Sequence, residues 1–310
     1  MPLRIVQSKQ NARLKELRRA LAHPPRNGGG LAGIEGPNLI EEALRAGLRP
    51  PAQIVSIFVA EGAEGLLDGL GLPPETEILL LPRALLNSAL TTEAPQPIAA
   101  LIQPPAWTWA NLLRGHEKTA PLFVVLAGLQ DPGNLGTILR SAEAFGANGV
   151  LSLPGTVSAW NPKAVRASAG SVFRVPLLAV SADECFTRLH EVGVTILTTS
   201  TSAVHGTQLA HRTNLAGPVA LLIGNEGNGV PDELAAQADC DLTISCPGPV
   251  ESLNAAVAAS VLLYEASRQR SHHNDTSTSH PSHKNKNKNK NVVPRGRPGR
   301  YPDSLVGGAR

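Results

Sequence analysis

The sequence predicts an α/β protein, a mainly parallel sheet covered by helices on both faces and preceded by a smaller α/β unit. Three observations lead there. From residue 122 onward, continuous apolar runs such as "LFVVLAGL" and "PVALLIG" alternate with helical stretches, the pattern of strands buried on both faces. The segment up to residue 103 holds a separate, shorter alternation of strands and helices. The composition is 42% hydrophobic but only 3% aromatic, so the core is aliphatic, and 310 residues suffice for one large or two modest domains.

Taken in order, Leu14, Leu17 and Leu21 recur at helical spacing, with Ser8 as the expected cap, and the surrounding Lys9, Arg13, Lys15, Arg18 and Arg19 oppose only Glu16. Such a face is either simply solvated or made for phosphates. Residues 31–47 read as strand, Gly-Pro turn and amphipathic helix. "QIVSIFVA" is a β-branched strand, "EGLLDGL" a short helix and "TEILLLP" a strand, and residues 82–102 supply a helix, a turn and a further strand. The Pro-rich stretch 103–121 carries Trp107 and Trp109 and reads as a linker whose tryptophans pack at a domain junction.

The second unit begins with "LFVVLAGL", followed by a helix over 134–146 and the strand "GVLSLP". "NPKAVRASAG" is helical, "VFRVPLL" a strand, "ADECFTRLHEVG" a helix and "VTILTTS" a strand. "PVALLIGNEG" is a strand running into a Gly loop, "PDELAAQA" a helix, "DLTISCPG" a strand and 252–270 a long last helix. That helix is small and apolar all round (Ala255, Ala256, Ala258, Ala259), so it is expected to be buried on every face, threading the core or forming a subunit interface. The expected division is 1–103, a small α/β unit; 104–120, a linker; 121–270, the main domain; and 271–310, a low-complexity, disordered basic tail.

The net charge of +3 is local. Residues 271–310 hold eight Lys/Arg against Asp275 and Asp303, so the remainder carries 20 basic and 23 acidic residues. Cys185, Cys240 and Cys246 have no metal-ligand spacing and read as free thiols of a reducing cytoplasm, with no metal expected. No run approaches a membrane span, so no membrane partner is expected, and the N-terminus is too charged for a signal peptide. "GNEGNG" has the wrong spacing for a dinucleotide fingerprint, and no G-K-[ST] phosphate loop occurs.

Three loops follow sheet strands and precede helices: 129–136, 224–231 and 246–252. In an open parallel sheet such loops gather at the carboxyl edge, where ligands bind. Asn134, Arg140, Glu226, Ser252 and Asn254 are therefore expected in one cleft. Each also has a plainer reading: Asn134 as a helix cap, Arg140 as the partner of Glu143, Glu226 as a favourable charge at the following helix, Ser252 as the cap of the last helix.

Together, "DPGNLGTILRSAEAFGANGV", "LLIGNEGNGVPDEL" and "ISCPGPVESLNAAVAASVLLYEA" resemble the three signature motifs of the SpoU/TrmH family of RNA ribose 2′-O-methyltransferases, in the SPOUT superfamily. The part before residue 103 is similar to the substrate-binding domain of members that act on ribosomal RNA. The resemblance covers about residues 1–268 and implies a C-terminal trefoil knot, a homodimer, a cytoplasmic RNA substrate and S-adenosylmethionine as cofactor. It implies cofactor contacts at Gly224, Ile244, Leu253 and Thr199. Arg140 matches the catalytic arginine, Asn134 a residue that positions it or the ribose, Glu226 the acid of the second motif, and Ser252 and Asn254 the serine and asparagine of the third. The sequence departs from the family pattern at Ala255-Ala256, Val230-Pro231 and Pro97, none of them a catalytic position.

The residue types suit the chemistry. A ribose hydroxyl is a poor nucleophile that gains from in-line positioning and from a cation beside the oxygen as negative charge develops. Arginine stays protonated, so Arg140 is expected to orient the hydroxyl and stabilise the oxyanion rather than to act as a base. Large-subunit ribosomal RNA is the expected substrate; transfer RNA, or a non-catalytic role in ribosome assembly, are the alternatives.

Overall fold

The computed structural model describes residues 3–26, 29–45, 50–114, 120–199, 207–250 and 252–277; the Lys-Asn run of the tail lies outside them. The N-terminal sheet has five strands, β1 (Leu3–Ile5), β2 (Ala32–Glu35), β3 (Gln53–Ala60), β4 (Glu77–Leu81) and β5 (Ile98–Gln103), in the order β1-β4-β3-β5-β2. Strands β1, β4 and β3 run parallel, while β5 is antiparallel to both β3 and β2. Helices α1 (Ala12–Ala22), α2 (Pro37–Leu44) and α3 (Arg83–Asn87) accompany it. Leu14, Leu17 and Leu21 of α1 are buried with Phe58 and Leu79, as the helical spacing predicts. The cap is Asn11, whose side chain accepts from the Leu14 amide, and not Ser8, which bonds the Gln10 amide before the helix starts.

After α4 (Trp109–Leu112) the chain builds a seven-stranded, wholly parallel sheet. Its strands are β6 (Leu122–Leu126), β7 (Gly149–Ser152), β8 (Leu177–Ala179), β9 (Thr195–Thr199), β10 (Gln208–Leu209), β11 (Val219–Ile223) and β12 (Cys240–Thr243), in the order β10-β12-β9-β11-β6-β7-β8. Every residue of β6 and β11 is buried, which their unbroken apolar sequences require. The connecting helices are α5 (Pro132–Ala144), α6 (Pro162–Ser168), α7 (Ala182–Glu191), α8 (Asp232–Ala235) and α9 (Ala255–Ser277). The expected strand "VFRVPLL" is shorter: residues 171–173 form a 3-10 turn and only Leu177 onward pairs. Pro176 interrupts it, lacking an N–H to donate although its carbonyl still accepts from Val150.

Helix α9 departs from expectation twice. It extends to Ser277, into the segment assigned to the tail, and only one face is covered. Ala256, Ala259, Leu262, Leu263 and Ala266 are buried, whereas Val257, Val261 and Tyr264 are 48%, 40% and 55% exposed. Its far end is clamped by Arg270, whose guanidinium donates to the carbonyls of Ala120, Pro121, Leu215 and Gly217. Burial pushes Arg270 down to about 10, so it remains charged at neutral pH.

The two sheets are joined by a charge bridge. Arg174 lies between Glu143 of α5 and Glu42 of α2, with Nη2 at 3.0 Å from Glu143. Burial pushes the Glu143 carboxyl up, but the hydrogen bonds from Arg174 and Ser171 outweigh it and hold it below the usual range. Nearby, Ser158 Oγ donates to the Pro25 carbonyl at 2.6 Å.

Helices α5 and α6 pack almost backbone to backbone at Gly136, where an added Cβ would lie 2.4 Å from the Ala164 carbonyl oxygen and 2.6 Å from Ala167 Cβ. In an isolated helix Gly→Ala stabilises by about 1 kcal/mol. Here the collision is with backbone, so Gly136→Ala is expected to destabilise by about 2 kcal/mol, read as a fall in the thermal midpoint. An unchanged or raised midpoint would show that the two helices separate freely.

Candidate active site

Strands β6 and β11 are parallel neighbours, with Ile223 opposite Leu126, so both chains leave the sheet at the same edge. From β6 the chain enters α5 through Asp131, whose Oδ1 accepts from the Asn134 amide at 2.8 Å. With Pro132 at the first helical position, Asp131 is the cap. The plainer reading of Asn134 as the cap is therefore wrong, and its side chain is left for other work. Asn134 Nδ2 donates to Glu226 Oε1 at 2.8 Å, and Asn134 Oδ1 accepts from Asn254 Nδ2 at 3.0 Å. One amide thus ties together loops that are 92 and 120 residues away in sequence.

Glu226 does not attend the start of α8. Its Oε1 also accepts from the Asp131 amide at 3.2 Å and its Oε2 from the Gln130 amide at 3.3 Å. Burial pushes its carboxyl up, but these donors, Asn134 first, prevail and hold it below the usual carboxylate value. An ionised carboxylate with both oxygens occupied fixes geometry; it is poorly suited to remove a proton. Its loop closes on Gly224, where a Cβ would fall 2.0 Å from the Gly229 carbonyl carbon, so glycine is obligatory there for the turn itself. Asn225 Oδ1 holds the same turn by accepting from the amides of Gly227 and Asn228.

Asn254 caps α9, its Oδ1 accepting from Ala256 at 2.9 Å and Val257 at 3.3 Å. The expected cap, Ser252, is exposed and has no hydrogen bond among the described residues. Asn254 wins because its carbonyl, not that of Ser252, opens the helical ladder by accepting from Ala258.

Arg140 stands apart from this cluster. Six residues are about 1.7 helical turns, so it leaves α5 about a third of a turn from Asn134, on the face of Gly133 and Thr137. It is exposed, and among the described residues it has neither hydrogen bond nor ion pair. Its expected partner Glu143 is taken by Arg174.

Sequence reasoning missed Lys163 on α6. Its Nζ lies 2.7 Å from Asp131 Oδ2, and this contact, followed by the Asn134 amide, depresses the Asp131 carboxyl. Nothing in the sequence announces the pair, since it depends on how closely α6 lies against α5.

The four residues expected to hold the cofactor lie on the same sheet edge. Thr199 ends β9, Gly224 follows β11 and Ile244 follows β12, three successive strands of the sheet, and Leu253 precedes the α9 cap. Ile244 and Leu253 are half-buried, offering apolar contact beside loop backbone, a surface that fits an adenosyl group. Thr199 Oγ1 already donates to the Leu222 carbonyl at 3.0 Å, so its backbone is the available part. Among the described residues no group of three His, Cys, Asp or Glu is placed to hold a metal, and the three cysteines are free, with burial pushing Cys185 up to about 12.

Fold and site together define an α/β enzyme with its ligand-binding loops on the carboxyl edge of a parallel sheet, as in RNA methyltransferases of the kind its three loops resemble. Comparison with known proteins narrows the class. Residues 121–264 match the SpoU rRNA Methylase family, and residues 34–108 match the domain described as RNA 2′-O ribose methyltransferase substrate binding. Over 266 residues the chain is 31% identical to 23S rRNA (guanosine(2553)-2′-O)-methyltransferase RlmP of Bacillus subtilis, covering 84% of this chain and 97% of that protein. Over 200 residues it is 34% identical to 23S rRNA (uridine(2479)-2′-O)-methyltransferase of Streptomyces viridochromogenes, covering 63% and 68%. The solved AdoMet-bound rRNA methyltransferase of Sinorhizobium meliloti superposes with a TM-score of 0.72 at 27% identity, over 86% of this chain and 98% of that one. AviRb of Streptomyces viridochromogenes with AdoMet gives 0.71 at 28%, over 84% and 98%. The chain belongs to the SpoU rRNA methylase family and is an RNA ribose 2′-O-methyltransferase.

Glu226→Gln would present one acceptor oxygen to three N–H donors and turn an NH₂ group toward one of them. Methyl transfer is expected to fall roughly tenfold, with little change in the thermal midpoint. Because the folded carboxyl titrates below the ordinary 4.5, its contribution to loop order is complete above that pH and is lost as pH falls through the lower folded value. Amide exchange at Gln130 and Asp131, corrected for intrinsic rates, should accelerate only in that acidic window, and should already be fast in the variant.

Proposed function

We propose that the methylated ribose lies in large-subunit ribosomal RNA, that S-adenosylmethionine is bound by backbone at Gly224, Ile244, Leu253 and Thr199, and that the enzyme works as a cytoplasmic homodimer. The observation that carries the reading is the Asn134 amide, held by Glu226 on one side and by Asn254 on the other, which makes one rigid site of the three loops. The names of the Bacillus subtilis and Streptomyces viridochromogenes relatives, both 23S rRNA 2′-O-methyltransferases, and the AdoMet in the two solved structures support the substrate and the donor. Residues 1–103 are the RNA-docking unit, with Lys9, Lys15 and Arg19 exposed on it; 104–120 is the linker and 121–270 the catalytic domain. The segment after β12 is taken to thread a trefoil knot, which agrees with Asn254 returning to Asn134 across the sheet edge.

S-adenosylmethionine, when bound, supplies an electrophilic sulfonium methyl group. The protein's part is to present the 2′-hydroxyl and to stabilise the charge that grows on its oxygen. Asn134 and Asn254 are locked and act as positioning residues. Ser252, exposed and unpartnered among the described residues, has a hydroxyl to offer the ribose or the cofactor. Arg140, exposed and without a carboxylate partner among the described residues, neutralises the developing oxyanion. The hydroxyl proton leaves to water or an RNA phosphate, because Glu226 is saturated with donors and arginine does not deprotonate.

Dimerisation is supported by the stripe Val257, Val261 and Tyr264 on α9, which continues onto Phe145, just past the end of α5, through an edge-on ring contact at 5.8 Å. Val261→Glu is expected to yield a folded monomer by light scattering; an intact dimer would move the interface elsewhere.

The functional test is transfer from labelled S-adenosylmethionine to unmodified ribosomal RNA, with the product located by its resistance to alkaline cleavage. One protected linkage is expected, reduced roughly 100-fold by Arg140→Ala and less by Arg140→Lys. Transfer to transfer RNA alone would overturn the substrate assignment. Cofactor binding without any transfer would favour a non-catalytic assembly role.

A further inference from the structure

Beside the catalytic loop, where the two sheets meet, the surface is hollow. A cavity of about 290 Å³ is bordered by Arg26, Trp107, Trp160 and the strand end Leu177–Ala179. It shares Arg26, Ala159 and Leu177 with a second hollow of about 430 Å³, which follows residues 152–159 as far as Leu135, the neighbour of Asn134. The groove therefore runs from the catalytic loop to the small domain.

Its walls are chemically specific. Trp109 Nε1 donates to Glu184 of α7 at 2.8 Å, and its ring packs on the core of the large unit. Trp107 is different: it is half-buried against the cavity, and its Nε1 is screened from solvent without an acceptor among the described residues. That N–H is closed off, so what Trp107 offers a ligand is the part of its ring that borders the cavity. Arg26 is exposed, with no ion pair among the described residues. The one carboxylate on either lining, Glu184, is occupied by Trp109. The smaller cavity is near the lower limit of ordinary ligand pockets, about 300 Å³. An aromatic wall, an exposed cation and no carboxylate in the smaller cavity are what an unstacked base and its phosphate require.

We propose that this groove holds an unstacked base of the substrate RNA, close in sequence to the methylated nucleotide, packed on Trp107 with its phosphate at Arg26. The proposal rests on the RNA methyltransferase reading and adds to it the element that reads sequence. Ribose chemistry is blind to the base, and relatives of similar identity are named for a guanosine and for a uridine. Selection of the target therefore has to come from contacts away from the 2′-hydroxyl.

The experiment uses the full chain with Ala106→Glu, an exposed alanine on the cavity lining, together with Arg26→Glu and Trp107→Phe. The first two are expected to raise the KM for unmodified ribosomal RNA roughly tenfold, with kcat and cofactor affinity within about twofold of wild type. A 12-nucleotide oligouridylate is the second probe, expected to quench tryptophan emission in wild type and much less in Trp107→Phe. RNA KM within about twofold in all three variants, or quenching indifferent to Trp107→Phe, would overturn the proposal. Equal quenching by polyglutamate would overturn a nucleic-acid occupant. If wild type binds cofactor but methylates no RNA, the functional reading fails; the quenching experiment still decides the groove.

Discussion

The site depends on one side chain having two unlike ends. Asn134 presents a donor and an acceptor from the same amide, and the structure places the Glu226 carboxylate at the first and the Asn254 amide at the second. An aspartate would put a second anion against Glu226. A leucine of similar size would leave Glu226 and Asn254 each short of a partner and the loops untied. The bridge can form only because Asp131 has already taken the capping role and because Gly136 lets α5 settle against α6, where Lys163 reaches Asp131. The site is held by helix packing as much as by the loops.

That division explains what could be read in the sequence. Strands buried on both faces have no polar positions, so β6 and β11 were legible as unbroken apolar runs, and the convergence of Asn134, Glu226 and Asn254 followed from the rule for parallel sheets. Local rivalries were less legible. Asp131 and Asn134 are both good caps three residues apart, as are Ser252 and Asn254 two apart, and only the backbone path decides between them. Long-range pairings were silent. Arg140 and Glu143 stand at a spacing that favours an ion pair, yet Arg174, 31 residues further on, takes Glu143 because it must also reach Glu42. Helix α9 misled for another reason: its composition says apolar all round, and a single chain covers only the face of Ala256, Ala259 and Leu263.

Arg174 also bears on how the two units cooperate. A guanidinium between two carboxylates, partly shielded from water, forms a costly arrangement to break by removing any one member. It joins α2 of the small unit to α5, the helix that carries Asn134 and Arg140. The bridge therefore gives the small unit a direct hold on the helix to which the proposed mechanism assigns Asn134 and Arg140.

Two tasks with opposite demands are therefore kept apart in space. Orientation of a ribose needs rigidity, and in the proposed mechanism it falls to groups already tied to one another by hydrogen bonds: Asn134, Glu226 and Asn254. Engaging RNA needs groups that are not complete, and in the proposed reading these stand at the margin: Arg140 without a carboxylate, Ser252 without a partner and Arg26 without an ion pair among the described residues. A satisfied group resists movement but has little to give a ligand; an unsatisfied one is the reverse. Placing the first kind at the centre of the three loops and the second around them lets one surface be stiff where the methyl group is to be transferred and still open to a substrate many times larger than the site.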